Sequence, residues 1–66
     1  MQIQLNGSAH QLAQSCSLAS LVQQLDLGGK RIAIEVNDEL VPRSEHAQYA
    51  LAEGDRVEIV QAIGGG

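Results

Sequence analysis

Sixty-six residues make one domain at most, and folding at this size buries only about 60% of the unfolded chain's surface, which excludes a deep private active site. Eight acidic residues against four basic ones give a net charge of -4, the wrong sign for a phosphate backbone, and no cationic run exceeds Lys30-Arg31, so nucleic acid is excluded as a partner. One cysteine cannot form an internal disulfide and two distant histidines have no metal-ligand spacing; with no apolar run near the roughly 18 residues of a membrane span and no signal-peptide pattern at Met1-Gln2-Ile3-Gln4, a soluble cytoplasmic protein without a membrane partner is expected.

Met1-Gln2-Ile3-Gln4-Leu5 alternates apolar and polar, the period of a half-buried strand. Asn6-Gly7 follows, the dipeptide that best tolerates the positive φ angles of a type I′ hairpin. With Asn6 and Gly7 as the central turn residues, Leu5 faces Ser8, Ile3 faces His10 and Met1 faces Leu12. Met1, Ile3, Leu5 and Leu12 then share the inner face, and His10 turns inward near the sheet margin.

Ser15-Cys16-Ser17 is a polar break, after which Leu18, Leu21, Val22 and Leu25 recur at helical spacing. The pattern predicts an amphipathic helix of about two to three turns, capped by Ser17 or Ser15 and ended by Gly28-Gly29. Arg31 to Val36 alternates again, with Ile32, Ile34 and Val36 on one side. Asn37-Asp38 then turns the chain into the short run Glu39-Leu40-Val41, which Pro42 ends. Residues 43 to 50 have no clear period and are expected to form a loop with a short helical turn around Ser44 to Gln48. Ala52-Glu53-Gly54-Asp55 is a turn signal, and Arg56 to Ile63 alternates as a final strand.

One helix with one apolar stripe needs a sheet to cover it, and the sheet needs one covered face. The expected fold is therefore α+β: a mixed four- to five-stranded sheet packed on one helix, in the order of a ubiquitin-like β-grasp. Its first and last strands lie side by side. The expected division is a folded domain over 1–63 and a flexible glycine tail over 64–66. Glycine carries no side chain to widen the backbone, so such an end can thread a narrow channel and present its α-carboxylate to another protein. The competing reading of the same residues is a frayed terminus.

The length, the segment Val36-Asn37-Asp38-Glu39-Leu40-Val41-Pro42-Arg43, the Gly54-Asp55 turn and the terminal Gly65-Gly66 together resemble the ThiS family of bacterial sulfur carriers, ubiquitin-like proteins related to MoaD. Gly64 departs from the family pattern, in which alanine is common at that position. The resemblance implies a carrier rather than an enzyme, with no stably bound cofactor. An E1-like adenylyltransferase of the ThiF type would use ATP and magnesium to convert the Gly66 carboxylate to an acyl-adenylate. A persulfide, from a cysteine desulfurase or another donor, would then leave a thiocarboxylate on Gly66, and a thiazole synthase of the ThiG type would take the sulfur for thiamine. A molybdopterin-type carrier, a ubiquitin-like modifier of lysines and a plain β-grasp interaction module remain alternatives.

The same resemblance implies that Ile63, Gly64 and Gly65 are the partner-binding tail behind Gly66. Val57 and Ile59 are expected to meet the helix, which leaves Arg56, Glu58, Val60 and Ala62 on the other side of the last strand. Of these, Glu58, Val60 and Ala62 form a candidate docking face. Cys16 is expected to pack opposite Leu21 rather than to relay sulfur. His10 and His46 have no positioned nucleophile or carboxylate at a spacing that would make them acid-base groups, and they are assigned to structure or solvent. Glu53, Asp55 and Glu58 are expected on a solvated face.

Overall fold

The computed structural model describes residues 1–61. Two hairpins and a last strand form a single five-stranded sheet, in the order β2-β1-β5-β3-β4. The strands are β1 (Gln2–Leu5), β2 (Ser8–Gln11), β3 (Ile32–Val36), β4 (Glu39–Val41) and β5 (Arg56–Gln61), and the helix α1 spans Leu18–Gln24.

The first hairpin has the register the turn chemistry predicts, with Ile3 opposite His10 and Leu5 opposite Ser8. Asn6 and Gly7 take φ angles of 49° and 84°, the left-handed geometry of a two-residue type I′ turn. Leu12 lies just beyond β2, yet its N–H donates to the Met1 carbonyl at 2.7 Å and extends the pairing. In the second hairpin Asn37 and Asp38 have φ angles of 52° and 71°, so a turn without glycine adopts the same geometry through the tolerance of Asn and Asp for that region.

Ser17 caps α1, its side chain accepting from the Ser20 N–H at 3.1 Å. The helix ends before the glycines that the sequence offers as its stop. Asp26 takes the left-handed turn with a φ of 60°, its N–H donating to Gln23 O and that of Leu27 to Val22 O, both at 3.0 Å. This pair of bonds is a Schellman closure. It sets the half-buried Leu27 against the core beside Val22, and that hydrophobic contact favours closing at Asp26 over continuing to Gly28. The link after β4 also differs from expectation: its short helical turn is a 3₁₀ segment at Arg43–Glu45, immediately after Pro42. Proline's fixed φ and missing N–H suit the position before such a turn.

The apolar stripe of α1, Leu18, Leu21 and Val22, is buried with Ile3, Ile34, Val36 and Val57 of the sheet in one aliphatic core. Full burial of each such side chain contributes about 1.5–3 kcal/mol. Cys16, Leu12 and Leu51 close the core at its margins. The opposite face of the sheet is open. Its outward residues include Ala33 and Glu35 of β3, Leu40 of β4 and Arg56, Glu58 and Val60 of β5, all exposed.

Candidate functional site

The sequence points to chemistry at the end of the last strand, so the first question is how that strand is held. β5 is central. It pairs parallel with β1, Leu5 opposite Val57, and antiparallel with β3 from Val36 opposite Val57 to Ile32 opposite Gln61. Val57 is 1% exposed and Ile59 half-buried, as their period-2 placement predicts. Gln61, the last described residue, is thus tied to the sheet on its β3 side.

Two asparagines add to this hold. Asn6 sends its amide across the end of β1, where Oδ1 accepts from Ile59 N–H at 2.8 Å and Nδ2 donates to Ile59 O at 3.4 Å. The side chain imitates one further peptide unit of β1. At the other end of β5, Asn37 Oδ1 accepts from Arg56 N–H at 2.9 Å and Nδ2 donates to Asp55 Oδ1 at 3.0 Å. The second Asp55 oxygen accepts from Ala52 N–H at 2.8 Å and closes the turn that leads into β5. Sequence reasoning assigns Asn6 and Asn37 to turns only. Their second role joins residues 53 and 18 or more positions apart, which no local pattern encodes.

Of the candidate docking residues, Glu58 and Val60 lie among the described residues. Glu58 and Val60 point outward from β5, opposite Glu35 and Ala33 of β3. Val60 is 65% exposed. Leu40 of β4, opposite Glu35, is 67% exposed and widens the apolar part of the face; the sequence reading gave it no face because a three-residue strand shows no period. Ala62, Ile63, Gly64, Gly65 and Gly66 lie outside the described residues.

The remaining candidates have structural places. Cys16 is 5% exposed in the core, its thiol 3.4 Å from the Ser17 carbonyl and 3.8 Å from Gln24 Nε2. His46 is 7% exposed, and its Nε2 lies 2.9 Å from Val41 O. A carbonyl can only accept, so Nε2 carries the proton. The His46 carbonyl in turn accepts from Ala19 N–H at 3.0 Å, which ties the 3₁₀ turn to α1. His10 is half-buried on the inner side of β2, and Glu53 and Glu58 are exposed while Asp55 is half-buried. Among the described residues no group of His, Cys, Asp and Glu is arranged to hold a metal ion, and no helix is long and apolar enough to cross a membrane.

A family model of the ThiS family matches residues 3–66. The chain belongs to the ThiS family. Full-length similarity extends to the sulfur carrier protein ThiS of Escherichia coli (strain K12), 36% identical over 66 residues that cover all of both chains. The chain is also 38% identical to a segment of thiazole synthase from Paramagnetospirillum magneticum, where it spans all of this chain and 20% of that protein's length. Among solved structures, that of thiamine biosynthesis protein ThiS from Geobacter metallireducens superposes with a TM-score of 0.85 at 26% identity, covering all of both chains. The ThiS fold is the β-grasp anticipated from element order, here with five strands.

Proposed function

We propose that this ThiS-family chain is a sulfur carrier for the thiazole of thiamine, acting through a thiocarboxylate on Gly66. The observation that carries the reading is the family match, which runs through the terminal glycine, together with a chain-length relative that is itself a sulfur carrier. A segment like this chain within thiazole synthase supports that enzyme as the acceptor and favours the thiamine branch over the molybdopterin one. It equally favours a carrier over a modifier of lysines or an inert interaction module.

A carboxylate is a poor electrophile because attack adds charge to an anion. A ThiF-type adenylyltransferase removes the obstacle: the Gly66 carboxylate attacks the α-phosphorus of ATP, pyrophosphate leaves, and the acyl-adenylate carries AMP as a leaving group. A donor persulfide, supplied by a cysteine desulfurase or a related sulfurtransferase, displaces AMP to give an acyl disulfide. A second thiol then attacks the donor's sulfur, the S–S bond breaks, and the thiocarboxylate remains on Gly66 while the donor leaves as a disulfide. ATP and magnesium belong to the adenylating partner, and this chain supplies no catalytic group.

Four extended residues, Ile63 to Gly66, reach roughly 13 Å at about 3.3 Å per residue, enough to cross a pocket mouth while the domain stays outside. Fixing three glycines costs on the order of 1–2 kcal/mol each. Contacts of the folded face, through Glu58 and Val60, offset that cost, so the isolated tail binds weakly and the carrier releases readily between partners.

Intact mass spectrometry after incubation with a ThiF-type adenylyltransferase, ATP, magnesium and a persulfide donor tests the reading. Exchange of one oxygen for sulfur, localised to Gly66, is expected. Lysine conjugates without that exchange, or an unmodified chain, would overturn it.

A further inference from the structure

Three of the chain's four cations, an adjacent pair and one 13 residues from Lys30, meet at one place in the fold. Lys30, Arg31 and Arg43 border a groove of about 450 Å³ together with Ile32, Ala33 and Val60. Arg43 arrives there because Pro42 ends β4, and its Nη2 donates to the Lys30 carbonyl at 2.6 Å. All three cations are exposed. Among the described residues the one ion pair, Arg56 with Asp38 at 3.1 Å, lies elsewhere.

That ion pair marks the other end of β5. Val36 pairs with Val57 near the start of β5, and Ile32 pairs with Gln61 at its finish. Asp38 and Glu39 of the β3–β4 hairpin, and Glu53 and Asp55 of the turn before β5, therefore gather at the start. Lys30 and Arg31, immediately before Ile32, gather at the finish. In a chain of net charge -4, the central strand thus runs from an acidic end to a basic one, and the basic end is the one from which the chain continues toward Gly66.

The groove does not have the form of a small-anion pocket. Such a site converges buried donors on one point, whereas here exposed cations stand round an apolar floor, Val60 and Ala33 of the open sheet face. An apolar centre with a charged rim is the anatomy of a protein interface.

We propose that this groove docks onto an acidic surface of the adenylating enzyme beside the pocket that receives Gly66, an inference that rests on the function proposed above. The physical need is specific. An acidic carrier must bring its own terminal carboxylate toward bound ATP, another anion, and net repulsion opposes that approach. A basic patch at the tail end, facing carboxylates on the partner's rim, reverses the local field and turns the carrier tail-first. Charge arranged in this way acts mainly on the association rate.

The test measures association of the full chain with a ThiF-type adenylyltransferase by stopped flow, at low and high ionic strength. Combining Lys30→Glu with Arg31→Glu is expected to slow association by about tenfold or more at low salt. The difference should close near 1 M salt, where the Debye length falls to about 3 Å, with the dissociation rate and thermal midpoint unchanged. The milder pair Lys30→Gln and Arg31→Gln should fall between, which guards against a folding artefact. Equal association rates for the wild-type and charge-reversed chains at low salt overturn the proposal. So does saturable binding of inorganic phosphate at Lys30 and Arg31 in an NMR titration, or nuclear Overhauser contacts from Gly64–Gly66 to these two residues, which would make the groove a seat for the chain's own end. Conversion of Gly66 is read separately by mass: salt-dependent, charge-sensitive association without conversion supports the groove and contradicts the sulfur-carrier reading.

Discussion

Asn6 and Asn37 each enter the left-handed region at a hairpin turn and each spend their side-chain amide on β5. The two demands can be separated by substitution. Asn6→Gly keeps the turn geometry and removes the bonds to Ile59, so it should destabilise the fold by about 1–2 kcal/mol in urea unfolding; a loss of only a few tenths would mean that the amide serves the turn alone. His46 offers a second test at this scale. Its ring donates to the Val41 carbonyl, and His46→Ala removes that bond together with the packing of a buried ring, at an expected cost of about 0.5–3 kcal/mol in the same assay. The turn role of Asn6 was legible because Asn-Gly is a local signal. The clasp was not, since its partner is distant in sequence, and His46 was legible only as lacking catalytic company.

β5 carries two valines in opposite surroundings, Val57 at 1% exposure and Val60 at 65%. Val57→Ala removes core methyls and should cost about 2–3 kcal/mol. Val60→Ala should stay within about 0.5 kcal/mol of wild type by thermal or chemical unfolding, yet weaken association with the adenylating enzyme and thiazole synthase. If Val60→Ala leaves both associations unchanged, the open face is not the docking face. The alternation that separates these valines is plain in the sequence, because a strand has a period of two and Arg56 to Gln61 keeps it. The end of α1 was less legible. Gly28-Gly29 is the stronger textual stop, but the apolar contact of Leu27 with the core settles the closure at Asp26, and that contact exists only in the folded molecule.

At the scale of the whole molecule, the sheet order sets the last strand between β1 and β3, so the segment that ends in Gly66 is rooted in the most supported part of the fold. Economy of layers and element order were enough to anticipate that arrangement: a lone helix needs a sheet, and hairpin, helix, hairpin, strand leaves the final strand the central place. The charge polarity along β5 was not legible. Arg43 lies 13 residues from Lys30, and only the turn after Pro42 brings them together. A firm root, an open face and a basic exit are separable from the chemistry, which is assigned to the terminal carboxyl carbon. Adding one residue after Gly66 should therefore leave the unfolding midpoint unchanged while removing the reacting group from its place. The most direct measurement is sulfur incorporation at Gly66, read by intact mass and fragment localisation, for the wild-type and extended chains side by side. The account predicts a thiocarboxylate on the wild-type chain and none on the extended chain; sulfur transfer by the untrimmed extended chain would contradict it.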